Sequence, residues 1–145
     1  MSEWQEFVVY GMPVPQPRPR ISMRGGFAKA YTPADHPIVA YRKAIAKAAL
    51  KANPLKDWRK KLGRRVRLEV WCVFQRPKSH RRANGSLLDK APALPRPDTD
   101  NLVKGVMDAL TTAGIYSDDV VVADHRCRKR YVGARIAPHT VVRVR

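Results

Sequence analysis

The sequence predicts a mixed α/β fold: one compact domain with a mixed β-sheet and two main helices, in two or three layers. Three observations predict it. Strand-like runs are interleaved with two segments of helical period, and residues 66–74 alternate side-chain character without a break. No repeat, linker or shift in composition divides the 145 residues, so residues 1–145 read as a single domain.

Taken in order, Phe7-Val8-Val9-Tyr10 reads as a first strand, broken by Gly11 and Pro13. Residues 15–33 are rich in Pro, Gly and Arg and read as a loop near the ligand. A helix is expected from about 35 to 52, with Asp35 as its cap and Pro37 in its first turn. Ile38, Tyr41, Ile45 and Ala48 or Ala49 share one face of it, and Asn53-Pro54 stops it. Residues 66–74 form the clearest strand, with Val66, Leu68, Val70, Cys72 and Phe74 on one face. Residues 75–97 read as a long loop, a length that in a small domain tends to be functional. A second helix is expected from about 100 to 113, ended by Gly114. Residues 120–132 are strand-like with a basic second half, and residues 140–144 make a last short strand.

Composition narrows the function. At 44% hydrophobic residues the chain can bury a core, yet no run approaches the ~18 apolar residues of a membrane span. The start, Met1-Ser2-Glu3-Trp4-Gln5-Glu6, lacks the pattern of a signal peptide, so a cytoplasmic location is expected. Cys72 and Cys127 sit in strand-like runs and read as small buried hydrophobes; no Cys or His spacing suits zinc. Lys and Arg number 29 against 12 Asp and Glu, a formal net charge of +17, which favours a polyanionic partner.

The distribution of charge says more than its sum. Basic residues cluster at Arg18 and Arg20, at Arg59, Lys60, Lys61, Arg64, Arg65 and Arg67, at Arg76, Lys78, Arg81 and Arg82, and at Arg126, Arg128, Lys129 and Arg130. Among them lies an acidic island: Asp98, Asp100, Asp108, Asp118, Asp119 and Asp124 are six of the 12 acids, and Lys104 is the only cation between the first and the last. A protein that only coats phosphate gains nothing from gathered carboxylates, whereas one that places divalent cations beside phosphate needs them. In an extended segment Asp98 and Asp100 point the same way and make a two-carboxylate claw, the ligand type Mg2+ prefers. Lys104, four residues on, falls one helical turn along, within reach of a phosphate. Taken alone, such a pair reads equally as an N-capping pair and Lys104 as an i,i+4 ion-pair partner. The second acidic pair, Asp118-Asp119, follows a tight return that can bring the start of the next strand beside the helix's first turn or the adjacent sheet edge. Its two side chains face opposite ways in an extended chain, so one joins the claw and the other is structural. Asp124 reads as a strand-surface charge.

Arg96-Pro97-Asp98-Thr99-Asp100-Asn101-Leu102-Val103-Lys104, then Asp108-Ala109-Leu110, then Gly114-Ile115-Tyr116-Ser117-Asp118-Asp119, resembles the signature of RusA-type Holliday junction resolvases. The early segment from Gly11 to Arg20, and Tyr31-Thr32-Pro33 before a helix, resemble that family's N-terminal half. The resemblance implies a RusA-like homodimeric endodeoxyribonuclease, often encoded by phages or prophages, that serves recombination and repair by paired nicks in four-way DNA junctions. It implies Mg2+ as cofactor, with Mn2+ substituting. It implies Asp98, Asp100 and Asp119 as metal-binding acids, with Asp118 second to Asp119, and Lys104 as the essential lysine. The competing expectation is a basic nucleic-acid-binding protein without enzymatic activity, which explains the charge but makes no use of the acids.

Overall fold

The structure is a computed structural model and describes residues 4–52 and 65–145. Its strands are β1 (Gln5–Tyr10), β2 (Arg20–Ser22), β3 (Lys29–Tyr31), β4 (Val66–Gln75), β5 (Val122–Val132) and β6 (His139–Val144), and its α-helices are α1 (Pro37–Ala52) and α2 (Thr99–Thr112). The expected stop at Asn53-Pro54 and the basic residues Arg59, Lys60, Lys61 and Arg64 lie outside the described residues.

Four strands form one mixed sheet in the order β1-β6-β4-β5. β6 runs antiparallel to both β1 and β4, while β4 and β5 are parallel, with Val70 opposite Cys127 and Gln75 opposite Val132. Parallel neighbours need a crossover, and the chain from 76 to 121 supplies it through α2. Both helices pack on one face of the sheet: α1 lies against β1 and α2, and α2 against β5 and β4. The expected mixed α/β architecture is therefore observed, in two layers. No helix among the described residues is long and apolar enough to cross a membrane.

The core follows the patterns that predicted it. Val66, Leu68, Val70, Cys72 and Phe74 of β4 are buried, and they meet Phe7 and Val9 of β1 and Val142 and Val144 of β6. From α1 come Ile38, Tyr41, Ile45 and Ala49, which decides between Ala48 and Ala49 in favour of the latter. From α2 come Leu102, Val103, Val106, Ala109 and Leu110. Cys72 is buried and Cys127 half-buried, both as free thiols. The Tyr41 and Thr140 hydroxyls share a buried 2.7 Å hydrogen bond that ties α1 to β6. The Cys72 thiol lies against both hydroxyls and against Cys127; that contact and burial push its pKa up.

Several boundaries differ from expectation, each for a local reason. α1 begins at Pro37, and its cap is His36 rather than Asp35. Pro37 has no N–H, so the first helical donor is that of Ile38, and His36 Nδ1 accepts it at 3.1 Å. α2 begins at Thr99, with Asp98 in extended conformation (φ −68°, ψ 142°) at the N-cap. Residues 119–121 wind into a short 3-10 turn before β5 starts at Val122. The stretch expected as loop from 15 to 33 holds a small hairpin, β2 paired with β3.

The Tyr41–Thr140 pair gives a direct test of the core. Tyr41→Phe should lower stability by about 1–3 kcal/mol, because the Thr140 hydroxyl then stays buried without its partner. Adding Thr140→Val should recover part of that loss, since two apolar partners leave nothing unsatisfied. Urea unfolding of both single variants and the double variant measures it.

Candidate active site

α2 positions the acids. Its apolar stripe faces the sheet and α1, which turns Asp100 and Lys104 outward to solvent and leaves Asp108 half-buried on the border. A helical turn separates each from the next. At the mouth of the helix, Asp98 and Asp100 stand as N-cap and second residue. The extended alternation expected for them is therefore not realised, because the helix has already begun at Thr99 between them. Asp98 makes no side-chain cap hydrogen bond. Both residues are exposed, and neither carboxylate has a hydrogen bond or ion pair among the described residues. The capping alternative is thus not realised by Asp98. Lys104 is exposed and makes no ion pair among the described residues, although its charge acts on Asp108.

Asp119 lies at the other end. Thr111 Oγ1, in the last turn of α2, donates to Asp119 Oδ1 at 2.5 Å. From the cap at Asp98 to Thr111 the helix axis rises by about 20 Å at ~1.5 Å per residue. Within one chain, then, the return after α2 brings Asp119 to the helix C-terminus and not to the claw. Asp118 serves locally: its Oδ1 accepts from Val120 N at 3.0 Å and caps the 3-10 turn. Asp124 is exposed on β5 beside Arg67 of β4, as its reading as a surface charge expected. Among the described residues no three His, Cys, Asp or Glu side chains gather as a metal-binding group.

Between the two ends sits a network that sequence reading missed. Arg42 of α1 donates through Nη2 to Asp108 Oδ2 at 3.2 Å and also to Gln16 Oε1. Gln16 in turn donates its backbone N–H to Asn101 O at 2.9 Å, which straps the proline-rich segment across the first turns of α2. Gly105 faces α1 beneath this crossing: a Cβ there would press on Ile38 Cδ1 at 3.3 Å, while Val14 O at 3.7 Å and Gln16 Oε1 at 3.8 Å would be ordinary contacts. Burial raises the Asp108 pKa and Asp119 raises it further, while Arg42 and Lys104 pull it down. On the other flank, Lys129 Nζ of β5 donates to Pro97 O at 2.8 Å and fixes the residue that precedes the claw. Nothing local marks Arg42 as the partner of Asp108, 66 residues away, or Gln16 as the partner of Arg42, 26 residues away, in a strongly basic chain.

The long loop uses its own arginines. Arg76 donates to Pro92 O at 2.7 Å and lies 4.4 Å over the Tyr131 ring, and Arg82 reaches Leu87 O at 2.7 Å and Asp89 at 3.2 Å. Arg126, Arg128 and Arg130 instead stand exposed along β5.

A basic α/β domain that displays unneutralised carboxylates and a lysine along one solvent-facing helix is of the class that works on nucleic-acid phosphates. Residues 11–145 match the family described as Endodeoxyribonuclease RusA, and the chain belongs to that family. The resemblance read from residues 96–119 is thereby confirmed. A Bacillus subtilis (strain 168) protein, described as Uncharacterized protein YqaN, is 34% identical over 130 residues, covering 87% of each chain.

The Asp108 network has a pH signature. A carboxyl whose pKa is raised by folding adds stability below its unfolded pKa and loses that contribution as pH rises through the folded value. In metal-free buffer the wild type should therefore lose stability relative to Asp108→Asn as pH climbs through and just above the carboxylate range. Unfolding curves of both proteins across that range check the sign.

Proposed function

We propose that the chain is a divalent-metal-dependent endodeoxyribonuclease, using Mg2+ with Mn2+ able to substitute, that resolves four-way DNA junctions by paired nicks as a two-fold dimer. Its setting would be recombination and repair of cytoplasmic DNA. One observation carries the reading: Asp98 and Asp100 stand at the mouth of α2 and Asp119 is held at Thr111 near its far end, roughly 16–20 Å along the helix axis at ~1.5 Å per residue, with Lys104 between them. A two-fold axis across the middle of α2 would exchange its ends, bringing Asp119 of one copy beside the claw of the other. Two copies then complete two sites related by the same symmetry, as paired nicks in a four-way junction require.

The donor set suits the cation. Two exposed carboxylates with no partner among the described residues offer hard oxygen ligands, and Mg2+ is commonly held by one or two carboxylates plus water and phosphate oxygens. A divalent ion there supplies charge neutralisation at the scissile phosphate and lowers the pKa of a bound water. Asp98 and Asp100 hold the claw open toward solvent because Lys129 fixes Pro97 behind them and α2 winds directly from Thr99. The Lys104 ammonium, one turn along, stabilises the negative charge that builds on the phosphate in the transition state. Thr111 keeps Asp119 oriented at the far end.

The shared site is tested by subunit mixing. Asp100→Asn and Asp119→Asn should each abolish cleavage while retaining junction binding. A mixed dimer of the two variants should regain one intact site, made of the unaltered claw and the unaltered Asp119, and should nick junctions without resolving them. A site contained within one chain would leave every mixed dimer inactive, and near-normal cleavage by Asp100→Asn would sink the metal claw itself.

Lys104→Ala should lose most cleavage at saturating enzyme with a modest loss of affinity. The salt dependence of binding should flatten by roughly one unit of slope, as for one phosphate contact removed. Cleavage at the wild-type rate once DNA is saturated would make Lys104 a binding residue only.

A further inference from the structure

The hairpin β2–β3 has no part in the site described above. Residues 7–34 contain no acid, and Arg18, Arg20, Arg24 and Lys29 are their four cations. In the pairing, Arg20 stands opposite Tyr31 and Ser22 opposite Lys29, so these residues share one face, and Ile21 and Ala30 take the other. The tip turns through Gly25 and Gly26, at φ +81° and +80°, values that a side chain would strain. Large apolar side chains at and near this tip stand exposed: Phe27 is 81% exposed, Ile21 71% and Met23 67%. Such a group of exposed apolar residues on one short projection marks an interaction site rather than a stray surface residue.

Its place is fixed by the strap. Gln16 is hydrogen-bonded to Asn101, the residue after Asp100, so the hairpin leaves the body at the claw's own turn of α2. Pro17 and Pro19 stiffen the stem between that anchor and Arg20. A basic stem with an apolar tip is what a DNA wedge needs: cations for phosphate, and Phe or Met to enter a base step. A second copy of this chain fits less well, because four cations with no ion pair among the described residues would meet another molecule of net charge +17.

We propose that the hairpin is a DNA arm whose Arg18, Arg20, Arg24 and Lys29 follow the phosphates and whose tip residues Met23 and Phe27 enter the base stack at the branch point, beside Asp98 and Asp100. It rests on the junction-resolving reading and adds how the branch is recognised: by bases already loosened at the crossover, which cost least to unstack.

The test places 2-aminopurine, whose fluorescence rises on unstacking, at the crossover of a synthetic four-way junction and titrates it with Asp100→Asn protein in Mg2+. Fluorescence should rise on binding. Adding Met23→Ala and Phe27→Ala should abolish the rise and lower the preference for junction over linear duplex about tenfold, the size of one lost base–aromatic stack. Phe27→Trp should keep both. A rise and a junction preference that survive loss of both tip side chains would overturn the proposal. So would sedimentation showing that the tip variant no longer forms the wild-type assembly, which would make the hairpin a contact between copies. The readout needs binding and no cleavage. A tip-dependent rise from a wild type that cuts no junction in any divalent ion would uphold the arm and remove the nuclease reading.

Discussion

The burial of one face of α2 is the constraint on which the rest depends. Leu102, Val103, Val106, Ala109 and Leu110 must leave water together, and the apolar surface that accepts them is the helix side of β4 and β5 with α1 beside it. Once that stripe is seated, the remaining positions have no freedom. Asp98 and Asp100 must face solvent at one end, Lys104 must follow one turn later, and the chain leaving the other end must set Asp119 against Thr111. The chemistry of the site is thus arranged by hydrophobic packing on the opposite side of the same helix.

The network around Arg42 transmits that placement to the N-terminal half. Arg42 holds Asp108 and Gln16 together, and Gln16 holds the proline-rich strap against Asn101. Removing water from a carboxylate costs free energy unless a cation compensates, and Arg42 is that cation for Asp108. The same contact therefore neutralises a half-buried acid and sets where the hairpin departs from the body.

The positive charge is divided between two kinds of work. Arg76, Arg81 and Arg82 tie down the long loop by bonds to backbone oxygens, so a run that looks like a polyanion footprint is largely internal scaffolding. Arg143 bridges Glu6 at 3.2 Å and Glu69 at 3.5 Å across three strands. Arg126, Arg128 and Arg130 have no such partners among the described residues and project from an edge strand. Charges there oppose edge-to-edge pairing of sheets and leave the row open to phosphate.

Periodicity alone determined the core. The alternation in β4 and the helical spacing of Ile38, Tyr41 and Ile45 are properties of consecutive residues, and burial follows them directly. The motif around Asp98, Asp100 and Lys104 was legible for the same reason: a helix start and one turn of helix fix their relation over seven residues. Local chemistry misled at the start of α1, where His36 rather than Asp35 met the first free N–H after Pro37, at Asp98 and Asp100, where a helix start replaced the extended run, and in residues 15–33, where a hairpin forms within the expected loop. What the tertiary structure alone decided are the contacts between distant segments. Arg42 reaches both Gln16 and Asp108, and Lys129 reaches Pro97, because packing the helices on one face of the sheet closes those separations. The position of Asp119 belongs to the same class. Its sequence distance from Asp100 says nothing of whether the return after α2 ends beside the first turn or the last, and the length of a buried helix settles that it is the last.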